Sequence, residues 1–247
     1  MPDPVKSYPQ IVSLSGHSHS PLQDERAIWQ GEFTVLETST TSYGCLPRRY
    51  ANNCSCIIPW ARESVGFMTL EVFSDRLEFR RWQAEDQEPM KDGRVWTVRY
   101  PYHPENAVYT EARRKAEEVE PVFAAGTPFL FRYDFGEVYF IVDQAAHPDF
   151  VYSYRLELTE LNADGTPTAE PTSCEFLGNF YRYRRNLDKR LCFKVPPHAM
   201  KAGTRYRVRL FPVANFGTEG KPLMMDLKVH AGYSFRNDKK AVPYPQE

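Results

Sequence analysis

No apolar run in this chain of 247 residues approaches the roughly 18 residues that a membrane-spanning helix needs. Net charge is almost absent: 31 Lys and Arg against 32 Asp and Glu leave −1. That balance argues against a nucleic-acid binder or a polybasic membrane contact. Met1 to Lys6 is polar and lacks the apolar core of a signal peptide, and the compartment stays open. Cysteine is sparse and odd in number: Cys45, Cys54, Cys56, Cys174 and Cys192. Zinc sites repeat a closely spaced pair, and Cys54-Ser55-Cys56 has no second pair, so ordinary buried or partly buried thiols are expected. There is no phosphate-binding glycine loop and no Gly-x-Ser-x-Gly. Ser15 and Ser18 lie beside histidines only in sequence, which is not triad geometry.

What is present begins with Gly16-His17-Ser18-His19, directly after the apolar run Ile11-Val12-Ser13-Leu14. The run reads as a buried strand. Residues two apart on a straight strand keep their ring nitrogens too far apart for one tight site. Gly16 would permit the bend that brings both imidazoles to a common point. Two neutral imidazoles suit zinc, iron or manganese, but an ion takes about four ligands.

The histidine pair continues through Ser20-Pro21-Leu22, Asp24 to Thr34 and Thr38-Ser39-Thr40-Thr41-Ser42-Tyr43-Gly44. Together these stretches resemble the last motif and following strands of calcineurin-like metallophosphoesterases, notably a bacterial subgroup with an appended sandwich domain. The resemblance implies hydrolysis of phosphate esters by two divalent ions (Mn, Fe or Zn), with His17 binding the second metal and His19 the first. The family's other motifs are an Asp-x-His, a Gly-Asp-x-x-Asp, a Gly-Asn-His-(Asp/Glu) and a lone histidine. None of the first three occurs here, and His103, His147, His198 and His230 are scattered singly. The resemblance thus implies the C-terminal half of such an enzyme, inactive alone, with no catalytic residue assignable. Its partner would be the missing N-terminal half or a self-association surface. The other reading is a non-catalytic β-sandwich protein that binds or scaffolds.

The organisation expected is mainly β: the C-terminal strands of a metallophosphoesterase sandwich, then a fibronectin type III or immunoglobulin-like β-sandwich. Phe33 to Thr38 reads as a strand, and Arg48 to Trp60 as loop. A hairpin turning at Ser74-Asp75 sets Val72 opposite Leu77, Leu70 opposite Phe79 and Met68 opposite Arg81, with one apolar and one polar face. Arg94 to Tyr100 reads as a further strand. Prolines 101, 104 and 121 bracket Asn106 to Glu120, whose charged core has helix propensity and a solvated face. The expected units are 1–104, a helical linker 105–120, a sandwich 121–232 and a tail 233–247, with few buried contacts across the linker.

In the second unit Tyr152, Tyr154, Leu156 and Leu158 alternate with polar residues, as do Tyr206, Val208 and Leu210, and Leu223 to Val229 makes a last strand. The stretch Tyr206 to Gly217, ending in Gly220-Lys221-Pro222-Leu223, resembles the late strands of a fibronectin type III module, where the tyrosine anchors the core. Phe180-Tyr181-Arg182-Tyr183-Arg184-Arg185 interleaves aromatic and basic residues as single-strand binders do. An exposed basic hairpin edge is the simpler account, and no nucleic-acid partner is expected.

Overall fold

The computed structural model describes residues 8–46, 50–53, 55, 57–134, 137–183, 187–196 and 199–229. The fold is mainly β: thirteen strands and one short helix among these residues. Cys54, Cys56, Arg184, Arg185, His198, His230 and the tail 233–247 lie outside them.

Two three-stranded sheets build the front of the molecule. In the first, β1 (Val12–Ser15) runs parallel to β3 (Thr34–Glu37), which pairs antiparallel with β2 (Ile28–Gln30). In the second, β4 (Gly66–Val72), β5 (Arg76–Gln83) and β6 (Val95–Arg99) form an antiparallel meander. The expected register is the observed one: Met68 opposite Arg81, Leu70 opposite Phe79 and Val72 opposite Leu77. Ile28 and Leu36 of one sheet meet Leu77, Phe79, Trp96 and Val98 of the other in a shared core.

Burial is incomplete at both sheet edges. Leu14 is 53% exposed, and among the described residues β1 pairs only with β3, so the first strand is not a buried one. On β4, Leu70 is half exposed and Val72 is 72% exposed, although their partners Phe79 and Leu77 are buried. Among the described residues, β4 is likewise paired on one side only.

The linker is less helical than its composition suggests. A 3-10 turn covers Pro104–Asn106, and α1 is confined to Glu111–Glu117. Thr110 opens α1 by accepting the Arg113 N–H at 3.2 Å. Pro121 favours extended backbone in the residue before it, and the helix has already ended at Glu118. The charged face is solvated, apart from Arg114, which turns inward to Glu25. Beyond α1, Glu118 accepts the N–H groups of Phe216 (2.7 Å) and Thr218 (3.0 Å). Gly220 abuts the next turn of the linker so closely that a Cβ there would lie 1.8 Å from the Pro121 carbonyl oxygen.

The second half is a β-sandwich. One sheet has the order β10 (Thr172–Leu177), β9 (Ser153–Leu161), β12 (Arg205–Val213), β13 (Leu223–Lys228). The other has the order β11 (Arg190–Lys194), β8 (Glu137–Asp143), β7 (Phe129–Asp134). Tyr154, Leu156, Phe176, Tyr206, Val208 and Leu210 interdigitate with Phe140, Val142, Leu191 and Phe193 between the sheets. The Tyr206 hydroxyl accepts the Lys201 N–H, five residues upstream, at 2.9 Å, a corner that fixes the entry to β12.

A third cluster joins the halves: Leu46, Tyr50, Ile58 and Ala61 pack on Tyr152, Leu177, Phe180 and Tyr181. Buried contacts therefore do cross from front to sandwich, contrary to expectation. The structure also corrects the reading of Phe180 to Tyr183. Phe180, Tyr181 and Tyr183 point inward, and Arg182 is tied to Glu63 and Asp188 rather than lining an exposed hairpin edge.

Candidate functional site

The histidine loop leaves the end of β1 and is held by the segment that follows β3. Ser15 O accepts both the Thr38 N–H (2.8 Å) and its hydroxyl (3.2 Å). His19 O accepts the Cys45 N–H at 2.9 Å. The turn itself is a γ-turn, closed by Ser18 N–H on Gly16 O at 3.0 Å around His17, whose φ is +75°. This is the rarer, strained hand of that turn. His19 is also left-handed, with φ +56°. Gly16 is not in the left-handed region, and a Cβ there would meet only Thr38 Oγ1 at 3.7 Å. The bend expected of the glycine is made by the histidines.

His17 projects into solvent. His19 is half-buried, with its ring centroid 4.6 Å from that of Tyr43 and its Nδ1 3.0 Å from the Tyr43 carbonyl oxygen. A carbonyl can only accept, so Nδ1 carries the proton. In the neutral ring that leaves the Nε2 lone pair free, the arrangement that orients metal-binding imidazoles. Among the described residues, no three His, Cys, Asp or Glu side chains gather closely enough to hold an ion. The two histidines are suitable nitrogen donors but not a complete set. His103 and His147 lie elsewhere. The His147 ring is occupied with Val119 O through Nε2 and with the N–H groups of Asp149 and Phe150 through Nδ1.

Behind the loop, Asp24-Glu25-Arg26 forms a charged keystone. Asp24 caps a 3-10 turn and holds Arg26 bidentately, at 3.0 Å to Nε and 2.7 Å to Nη2. The Arg26 guanidinium lies 4.1 Å over the Tyr152 ring of the sandwich. Oriented to suit its surroundings, the Asn215 amide donates to Asp24 Oδ1 and accepts from the Glu25 N–H, each at 3.1 Å. Glu25 accepts from Arg81 Nη1 (2.6 Å) and Trp96 Nε1 (2.8 Å), and Arg114 reaches it at 3.5 Å. Burial alone would raise its pKa, but the charges of Arg81 and Lys91 and the Trp96 and Arg81 hydrogen bonds hold it down at about 2. Lys91 is the converse case. Burial lowers it to about 8, against the opposing pull of Asp149 (2.5 Å) and Glu25.

Sequence reasoning missed the roles of Tyr43 and Glu25. Both fall within the stretches that carry the family resemblance, which was the only signal pointing to them. Of the three cysteines within the described residues, Cys45 and Cys174 are half-buried, whereas Cys192 is exposed rather than buried. No helix among the described residues is long and apolar enough to cross a membrane. No protein-family model matches this chain, and no curated protein does so either.

Proposed function

We propose that this chain is the C-terminal portion of a calcineurin-like metallophosphoesterase, giving His17 and His19 to a dinuclear centre and carrying a fibronectin type III-like sandwich behind it. The observation that carries the reading is His19: its Nδ1–H is pinned on the Tyr43 carbonyl, which leaves Nε2 available. The strained γ-turn at His17 adds support, since backbone strain of this kind collects at functional sites. The open edges of β1 and β4 offer places where further strands can pair. Seven strands split three and four, with the Tyr206 corner, support the module behind them.

Two imidazoles leave both ions short of ligands, so the remaining donors belong to polypeptide bearing the other motifs. When bound, such a metal pair polarises the phosphoryl oxygens and activates water. This chain's part is to hold two neutral nitrogen donors in place through Tyr43, Thr38 and the β1–β3 pairing.

Co-expression with a segment carrying Asp-x-His, Gly-Asp-x-x-Asp and Gly-Asn-His tests the reading. The complex is expected to bind manganese, iron or zinc and to hydrolyse an aryl phosphate, and His17→Ala and His19→Ala should each lower metal content. Unchanged metal in both variants would remove the chemical basis of the proposal. The alternative, a non-catalytic binding or scaffolding protein, is favoured by the incomplete ligand set and predicts no metal in either setting.

A further inference from the structure

Away from the histidines, a seam runs between the front sheets and the sandwich. It holds two adjoining clefts, of about 490 and about 300 Å3, which share Asn179 and Arg182 in their walls. Volumes of this order accept small molecules of one to three rings. The larger cleft is floored by Phe150 and Phe180, stacked with centroids 4.5 Å apart, and Lys91 lies 3.8 Å over Phe150.

Trp60 stands at the mouth of the smaller cleft and is 67% exposed. Its backbone is left-handed, φ +56° and ψ +33°, which is a genuine outlier for a bulky side chain. Its one described ring contact is with the Arg182 guanidinium, 5.1 Å from the ring centroid. The large apolar ring is thus presented to solvent at a conformational cost that burial does not offset.

The walls also hold two unmet hydrogen-bonding groups. Among the described residues, Gln23 Oε1 and Asn179 Nδ2 are buried without a partner, one an acceptor and the other a donor. The cations Lys91, Arg94, Arg182 and Arg190 are already paired with carboxylates. Lys91 and Arg94 share Asp149 (2.5 and 3.0 Å), while Arg182 is divided between Glu63 (3.0 Å) and Asp188 (2.5 Å). Paired cations leave little to draw a phosphate or carboxylate. Hydroxyls, which both donate and accept, can satisfy an amide oxygen and an amide nitrogen alike. An aromatic face beside such groups suits the apolar face of a sugar ring.

We propose that this seam is a saccharide-binding site, taking a neutral, hydroxyl-rich ligand of one to three sugar units with one ring stacked on Trp60. The site is separate from the histidine loop and does not depend on the phosphoesterase reading.

The test is titration of the 247-residue chain with glucose, N-acetylglucosamine, maltose, cellobiose and N,N′-diacetylchitobiose, with inorganic phosphate as the charged control. Indole fluorescence and 1H–15N spectra, which show side-chain amides directly, report binding. At least one sugar should bind below 5 mM and move the Trp60 indole and the Gln23 and Asn179 amide signals. Trp60→Gly and Asn179→Leu should each weaken that binding tenfold or more. Trp60→Gly should keep or raise the melting temperature, because glycine accepts the left-handed backbone freely. The proposal is overturned if no sugar binds below 20 mM, if phosphate binds more tightly than every sugar, or if both variants bind as the wild type does. A lower melting temperature for Trp60→Gly would show that the ring is structural and would overturn it equally.

Discussion

Replacing Glu25 by Gln tests the charged keystone most directly. The substitution keeps the shape of the side chain and its ability to accept from Trp96, and it removes the carboxylate that pairs with Arg81, which is 1% exposed. Leaving a buried cation unpaired costs about 3–5 kcal/mol. An independent route gives a similar figure. Holding the carboxyl at about 2 instead of 4.5 is worth about 3 kcal/mol. The pH dependence follows from the direction of the shift. Between these values the unfolded chain binds the proton more readily, so the contribution is complete above about pH 4.5 and is lost as pH falls towards 2. Urea denaturation of both proteins at pH 7, 5.5, 4 and 3 should show Glu25→Gln less stable by about 3 kcal/mol at pH 7, and by about half of that at pH 3. A difference below about 1 kcal/mol at pH 7, or one of the same size at pH 3, would refute the account of Glu25 as the anion on which Arg81, Lys91 and Arg114 converge.

His17→Gly should stabilise the isolated chain by about 1 kcal/mol, since glycine accepts the positive φ that histidine adopts at a cost; chemical denaturation showing a loss instead would mean that the imidazole is held by contacts of its own. Tyr206→Phe should cost about 0.5–1.5 kcal/mol, because the Lys201 N–H loses its acceptor and Glu160 a donor while the ring packing stays; a melting temperature equal to wild type would make the corner incidental.

Periodicity alone made the hairpin legible. Val72, Leu70 and Met68 alternate with polar residues across a two-residue turn, and a slip of one position would have reversed every face. The sandwich strands β9, β12 and β13 were legible for the same reason. What stayed hidden depends on partners far along the chain. Arg81 sits on the apolar face of its hairpin, and its reason for being there, Glu25, is 56 positions away. The inward turn of Phe180 and Tyr181 depends on Tyr50 and Ile58, which no local pattern ties to them. The exposure of Leu14 and Val72 depends on which strands lie beside them, and a strand's sequence looks the same with one neighbour or two. At the histidine loop, the residue types suggested a ligand pair, but the assignment of the bend to Gly16 followed a residue preference that this backbone does not obey. Trp60 carried no periodic signal, and only its backbone conformation and exposure set it apart.

The linker has a mechanical consequence. Glu118 is fastened to the turn between β12 and β13, Gly220 is pressed against Pro121, and Asn215 in that same turn grips Asp24 and Glu25. A joint fastened at its far end transmits torque where a loose one would absorb it. The turn between β12 and β13 is in this way tied to residue 24, five positions from His19. The sandwich thus braces the segment that leads away from the histidine loop.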